Sequence, residues 1–197
     1  MTSSDVFEGI ASVAQLGMVF AVGLGVAIAY WQLKATREAV SNTRRAQLAE
    51  EMIVLAGRVE DAFRHMRNPF GSIPQDRLRD KKFIYEKRYE RVSESNELFA
   101  SLRETQIRMD AVLGYDATKD YVIELFNARS NIAMAIEELI DIEASGNSER
   151  YADAWKNAHL VLYGRWSEKD EFGQKLLKAT RRIREIASPF ASWQPRK

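Results

Sequence analysis

The sequence contains no cysteine and only two histidines, His65 and His159. The absence of cysteine excludes disulfides, thiolate-bound metals and a cysteine nucleophile. Two histidines are too few for an all-histidine metal site within one chain. The chain also lacks a glycine-rich phosphate loop, an HExxH sequence and a nucleophile elbow, and its carboxylates are spaced as on a helix surface. We therefore predict no cofactor, no metal and, from these motifs, no enzymatic activity.

Proline is scarce, with four residues, and no segment alternates between apolar and polar residues for long enough to predict a strand. Apolar residues instead recur at spacings of three and four, which indicates amphipathic helices. Ser148 is the predicted N-cap of a short helix, and residues 167–170 are a predicted capping box for the last helix. The predicted fold is all-α, with helices over 32–66, over 76–114 with a bend at 93–96, over 118–144, through Trp155 and Leu162, and over 167–187.

Charged residues are absent from 10–31, where only two side chains are clearly polar. As a helix this segment would span about 33 Å, enough for the hydrocarbon core of a bilayer. A cleaved signal peptide fits less well, because residues 1–9 carry two acidic residues and no basic one. The basic residues that follow the segment are typical of its cytoplasmic end, and they come directly after two interfacial aromatic residues, Tyr30 and Trp31.

We therefore predict a single-pass protein of a bacterial inner membrane, in which 10–31 is the transmembrane helix. Residues 1–9 would form a short N-terminus outside the cytoplasm, and the chain from residue 32 would be cytosolic. The predicted cytosolic elements are a stalk or first long helix at 32–67, a bundle within 76–188 and a flexible tail at 189–197. The bundle would bring the cytosolic part to about four to five helices.

A small residue stands at every fourth position of the apolar segment: Gly17, Ala21, Gly25 and Ala29. In a helix these residues form a ridge on one face, which allows neighbouring backbones to approach closely. The ridge predicts that copies of the chain associate as a homo-oligomer through this face. The alternative is that glycine and alanine are simply common in membrane helices.

Net charge alternates along the chain: residues 32–91 carry +5, residues 92–149 carry −8 and residues 150–197 carry +6. Such blocks can attract each other within one chain or between neighbouring copies, although single surface ion pairs contribute little. A basic amphipathic helix can bind anionic lipid or RNA, or it can bury its apolar side in the bundle and leave its charges in water. The two basic stretches to which these alternatives apply are 77–82 and 175–184. The second has a predicted basic surface of Arg181, Arg182 and Arg184.

The segment Arg58-Val-Glu-Asp-Ala-Phe-Arg-His65 places an arginine and a histidine seven residues apart, on one face of a helix. This pair resembles the arginine–histidine motif of the HEPN ribonucleases, which are all-helical and use the pair at a dimer interface. The resemblance implies acid–base chemistry for His65 and phosphate contact for Arg58. The spacing is at the long limit of that motif, and Val59 stands where a polar residue is usual. The alternative is a structural histidine near the end of a helix.

The predicted anchor, followed by a helical bundle with this pair, resembles the small membrane accessory proteins of RNA-targeting CRISPR systems. The resemblance implies a ring of subunits whose membrane helices surround a pore in antiviral defence. Three hypotheses follow: a self-assembling membrane effector or pore, a membrane-tethered ribonuclease, and a non-enzymatic scaffold that holds a cytosolic partner at the membrane. The predicted partners are thus the membrane, further copies of the chain, and a cytosolic protein or RNA.

Overall fold

The computed structural model of the chain describes residues 3–69, 74–77, 80–146, 150–164 and 166–191; within 3–19, the only side chain described is that of Met18. These ranges are helical and contain no strand, so the predicted all-α fold is confirmed. A short 3-10 turn at Gln75–Arg77 lies between the first two helices. The helices are α1 (Ser3–Met66), α2 (Lys81–Glu94), α3 (Asn96–Leu113), α4 (Lys119–Ser145), α5 (Ala152–Tyr163) and α6 (Glu171–Ala191).

The prediction of a transmembrane helix over 10–31 is wrong. Among the described residues, no helix combines the length and the apolar character that crossing a membrane requires. The predicted orientation, with the N-terminus outside, and the predicted pore both required that span.

The first helix joins two predicted elements, because α1 continues through residues 31 and 32 without a break. The chain divides within α1 into two compact units, one that ends at Arg44 and one that begins at Arg45 and includes α2 to α6. In the first unit the described side chains are nearly all exposed. In the second unit burial begins at Leu48, where the apolar three-and-four spacing of α1 becomes regular.

Helix α4 is central to the second unit, since it packs against α2, α3, α5 and α6. Three phenylalanine rings link helices in the core through edge-to-face contacts, with centroids 5.7 Å apart for Phe63 and Phe99 and 5.2 Å apart for Phe99 and Phe126. The buried face of α4 follows the apolar spacing of three and four residues. Its fully buried side chains are Val122, Leu125, Ile132, Ile136 and Leu139.

The predicted bend in the second long helix is confirmed at Ser95, which lies between α2 and α3. Arg129 of α4 stabilises this break. Its Nε donates to Ser95 Oγ at 3.0 Å, and its Nη2 donates to the Val92 carbonyl at 3.0 Å. Its guanidinium also lies 5.1 Å from the centre of the Phe99 ring. The Val92 carbonyl also accepts hydrogen bonds from the Ser95 backbone N–H at 3.2 Å and from Ser95 Oγ at 2.6 Å, so Arg129 adds a contact from a neighbouring helix to the cap at the end of α2.

The last helix begins and ends later than predicted, at Glu171 and Ala191. Asp170 caps it rather than Ser167, because Asp170 Oδ1 accepts a hydrogen bond from the Gly173 backbone N–H at 3.0 Å. Pro189 lies inside the helix near its end, where its missing N–H removes a single intrahelical bond. The predicted cap Ser148 and the rest of the predicted tail, 192–197, lie outside the described residues.

Candidate functional site

The apolar segment of α1, residues 18–31, exposes large side chains on every face of the helix. Phe20 is 72% exposed, Leu24 63% and Trp31 76%. A helix that is apolar all round is stable only where other apolar surface covers it. The segment is therefore a candidate interaction surface. More than half of the side-chain surface is also exposed at Met18, Val22, Val26, Ile28 and Tyr30.

The ridge of small residues lies within this exposed segment. Ala21, Gly25 and Ala29 are exposed, and a Cβ added at Gly25 would have no other atom within 4 Å. The surroundings of Gly17 lie outside the described side chains. The three described ridge positions are therefore open to another chain, and their role as an interface stays a prediction.

The predicted catalytic pair, Arg58 and His65, is exposed on α1, with the two residues about 10 Å apart along the helix axis. His65 Nε2 lies 4.0 Å from the Glu94 carboxylate, and the His65 carbonyl accepts a hydrogen bond from Arg91 at 3.2 Å. Within the described part of the chain, no hydrogen bond or ion pair joins Arg58 to His65. His65 lies in the last turn of α1, as the structural alternative expected. Catalysis by the pair stays a prediction.

The predicted basic surface on α6 separates into three environments. Arg181 is exposed to solvent. Arg182 pairs with Glu185 on the same helix at 2.7 Å. Arg184 reaches across to the Glu60 carboxylate on α1. Only part of the predicted basic surface is therefore open to a partner.

An ion pair with Glu60 of α1 and a buried apolar side fix α6 in the bundle. Burial acts to raise the pKa of Glu60, but hydrogen bonds from Arg64 and Arg184 outweigh it and hold that pKa below its ordinary value. Leu176 and Ile183 of the same helix, α6, are buried. Of the alternatives for a basic amphipathic helix, α6 therefore shows the one in which the apolar side packs in the bundle.

A buried ion pair, absent from the sequence-based predictions, joins the residue after α1 to the residue before α6. Arg67 Nη1 and Nη2 donate to Oδ2 and Oδ1 of Asp170, each at 2.9 Å. The Arg67 side chain is fully buried and that of Asp170 is 6% exposed. Arg67 also donates to the carbonyls of Val161 at 2.8 Å and Leu160 at 3.3 Å. The guanidinium is thus bonded on every side within the chain.

Asp170 organises the turn before α6 as well as the ion pair. Its Oδ2 accepts a hydrogen bond from the Trp166 backbone N–H at 3.0 Å. Burial acts to raise the pKa of Asp170, but the bonds from Arg67, Gly173 and Trp166 outweigh it, so that pKa lies below its ordinary value. Trp166 has φ 57°, which is unusual for a large residue, and its ring centre lies 4.9 Å from the Arg67 guanidinium. These bonds and the cation–π contact offset the backbone strain.

Three rings on one face of α5 form a stack. Trp155 and His159 have ring centroids 3.7 Å apart, and His159 and Tyr163 have centroids 4.7 Å apart. Arg88 of α2 lies over Tyr163, with its guanidinium carbon 4.2 Å from the ring centre. We call these four residues the aromatic stack. Within the described residues, Arg88 Nη1 and His159 Nε2 are buried without a hydrogen-bond partner.

The charges around the aromatic stack disfavour a second cation. Burial, followed by the positive charges of Arg88 and Lys81, holds the pKa of His159 below its ordinary value, while Glu143 opposes them. Burial also raises the pKa of nearby Tyr85 to about 12. Folding therefore favours neutral His159.

We expect the free energy of unfolding to decrease as the pH falls from about 7 to 5, because the unfolded chain binds a proton at His159 more readily than the folded chain. For a base whose pKa is lowered by folding, stability is complete above the unfolded pKa of 6.5 and is lost as the pH falls towards the folded pKa. His159→Phe keeps a ring in the stack and removes this titration. Urea unfolding at a series of pH values should give a flatter profile for the variant in this window. Equal pH profiles for the two proteins would contradict the prediction.

Among the described residues, no group of three or more histidine, aspartate and glutamate side chains could hold a metal ion. Comparison of the chain with protein-family models, with curated proteins and with solved structures finds no match.

Proposed function

We propose that this protein acts through self-assembly and that its copies associate through the apolar segment of α1. The observation that carries this proposal is the exposure of large apolar side chains on every face of residues 18–31. Removing one such side chain from water contributes about 1.5–3 kcal/mol to association. The ridge of Ala21, Gly25 and Ala29 leaves space for a second backbone, so that larger side chains on both flanks can pack around it.

In this proposal the second unit is a non-enzymatic scaffold that the assembly presents to a partner. The polar cluster around Arg67 supports a structural role, since all three guanidinium nitrogens of Arg67 donate hydrogen bonds within the chain. The exposed pair of Arg58 and His65 adds no contact that favours catalysis. An effector role in antiviral defence and a ribonuclease activity stay predictions that follow from the resemblances.

Sedimentation of the full chain at low micromolar concentration is the direct test. We expect a defined oligomer for the unaltered chain and a smaller species for the Leu24→Glu/Ile28→Glu double variant, because carboxylates are costly in an apolar interface. The matched control is Ile107→Glu/Leu160→Glu, which places the same change on side chains that are 55% and 61% exposed in the second unit. The control should keep the size of the unaltered chain.

A monomeric unaltered chain would contradict this proposal. Flotation of that monomer together with lipid vesicles would identify a lipid surface, rather than a second copy, as the cover of the apolar segment. An equal loss of assembly in the control would show that the effect comes from added charge in general.

A further inference from the structure

A groove between α4 and α5 combines apolar walls with an acidic rim, and its volume is about 480 Å³. Met134 and Tyr151 line it and are 55% and 40% exposed. Glu137, Glu138 and Asp141 form the rim and are exposed. Within the described chain, none of these three carboxylates has an ion-pair or hydrogen-bond partner. We call this surface the acidic groove.

The outer face of α6 carries a row of basic side chains that are also unpaired. Lys175, Lys178 and Arg181 are exposed and stand three residues apart, so they follow one side of the helix. Within the described chain none of the three makes an ion pair, whereas the neighbouring Arg182 is paired with Glu185 at 2.7 Å. We call these three residues the basic row.

We propose that the acidic groove of one copy binds the basic row of a second copy. The two surfaces carry three opposite charges each. On α4, Glu137 and Glu138 are consecutive and Asp141 follows about one turn later, whereas the basic residues of α6 stand three apart, so two helices side by side bring opposite charges near each other over one to two turns. Lysine and arginine stems can cover Met134 and Tyr151 while their head groups reach the carboxylates. The charge blocks of the sequence, −8 for residues 92–149 and +6 for residues 150–197, steer the same contact.

The contact is head-to-tail, because the groove and the row are different surfaces of the same chain. Each copy that binds one neighbour through its groove still offers its basic row to another, so the contact extends or closes a ring. It extends the proposed self-assembly but shares no residue with the apolar segment of α1, so either contact can fail without the other. Because exposed ion pairs are weak and screened by salt, the contact should weaken between 0.1 M and 1 M salt as the Debye length falls from about 10 Å to about 3 Å.

Carbodiimide cross-linking tests the contact directly, since this reagent joins a lysine amine to a carboxylate that it touches. Full chain with natural isotopes is mixed with full chain labelled with nitrogen-15, cross-linked and digested. We expect peptides in which Lys175 or Lys178 of one copy is joined to Glu137 or Glu138 of the other. Cross-links at these residues only within one copy, or none at all, would overturn the proposal.

Charge-reversal variants provide a second test of the contact between the acidic groove and the basic row. Glu137→Lys/Glu138→Lys and Lys175→Glu/Lys178→Glu should each weaken this association about tenfold, and a mixture of the two variants should restore it. Glu97→Lys/Glu104→Lys on α3 makes the same change in charge on another exposed face and should leave the cross-links intact. Equal loss in that control, or no recovery in the mixture, would overturn the proposal.

The two assembly contacts are separated by repeating the cross-linking in the Leu24→Glu/Ile28→Glu variant. If the acidic groove and the basic row bind as proposed, the cross-links between copies persist in this variant. If the cross-links between copies persist in this variant but the unaltered chain sediments as a monomer, assembly through α1 is refuted. The contact between the acidic groove and the basic row then stands. Loss of the cross-links in the variant would refute the independence of the groove contact and with it this inference.

Discussion

Replacing Arg67 by leucine is expected to lower the free energy of unfolding by about 3–5 kcal/mol, the cost of breaking a buried ion pair from one side. The substitution leaves Asp170, which is 6% exposed, without its bidentate partner. It also removes the donor to the Val161 and Leu160 carbonyls. Chemical denaturation followed by circular dichroism measures the loss. A change of this size is a large part of the total stability of a typical domain.

Arg108→Leu is the matched control, because Arg108 belongs to an exposed ion pair with Glu104 on one helix. Its effect should lie within about 0.5 kcal/mol, as for most surface substitutions. Arg67→Lys keeps the charge but cannot make the two parallel bonds to Asp170, so its stability should fall between those of Arg67→Leu and the unaltered chain. Equal losses for Arg67→Leu and Arg108→Leu would show that the buried pair contributes no more than a surface pair.

The backbone around the ion pair leaves no spare volume. A Cβ at Gly164 would lie 1.8 Å from Arg67 Nη2 and 2.3 Å from Asp170 Oδ2, both far inside contact distance. The Arg67 and Asp170 side chains are held by several hydrogen bonds, so they cannot move aside freely. The close approach of the Arg67 guanidinium therefore explains why position 164 is a glycine; the backbone angles of Gly164 do not require one.

The buried Arg67 and Arg88 and the half-buried Arg129 could have been recognised in the sequence by their position on apolar rows. Arg67, Arg88 and Arg129 each stand three or four residues from a buried apolar residue of the same helix face. A cation at such a position must be paired, bonded to carbonyls or placed over a ring, since burying it alone is too costly. The apolar residues that mark these rows are Phe63 for Arg67, Tyr85 and Val92 for Arg88, and Leu125 and Ile132 for Arg129.

Local patterns predicted much of the helical framework but not its long-range contacts. The ends of α4 fall within one residue of the predicted 118–144, because its period and its flanking turn residues are both clear. The start of α6 was wrong because Ser167 and Asp170 are both good capping residues, and the choice depends on Arg67, which lies 103 positions away. The aromatic stack likewise depends on a contact between Arg88 and Tyr163 that helical spacing does not reveal.

Gly25→Leu is expected to convert the proposed oligomer into monomers or smaller assemblies. In the single chain an added side chain at this position meets open space, since a Cβ at Gly25 has no atom within 4 Å. Leucine also favours the helix more than glycine does, by about 0.8–1 kcal/mol. The substitution therefore leaves the chain's own fold intact. At a ridge that packs against a second backbone, however, the larger side chain holds the two helices apart and removes their close contacts.

Gly23→Leu makes the same change on the opposite side of the helix and is the closest control. A Cβ at Gly23 also has no atom within 4 Å, and the two positions are about 200° apart around the axis. Both variants therefore gain the same helix propensity and the same apolar surface, and they differ only in the face that carries it. Phe20→Leu, at a side chain that is 72% exposed, is a second control away from the ridge. Sedimentation should show loss of the oligomer for Gly25→Leu alone. Equal sizes for Gly25→Leu and Gly23→Leu would mean that the apolar segment associates without using the ridge of small residues.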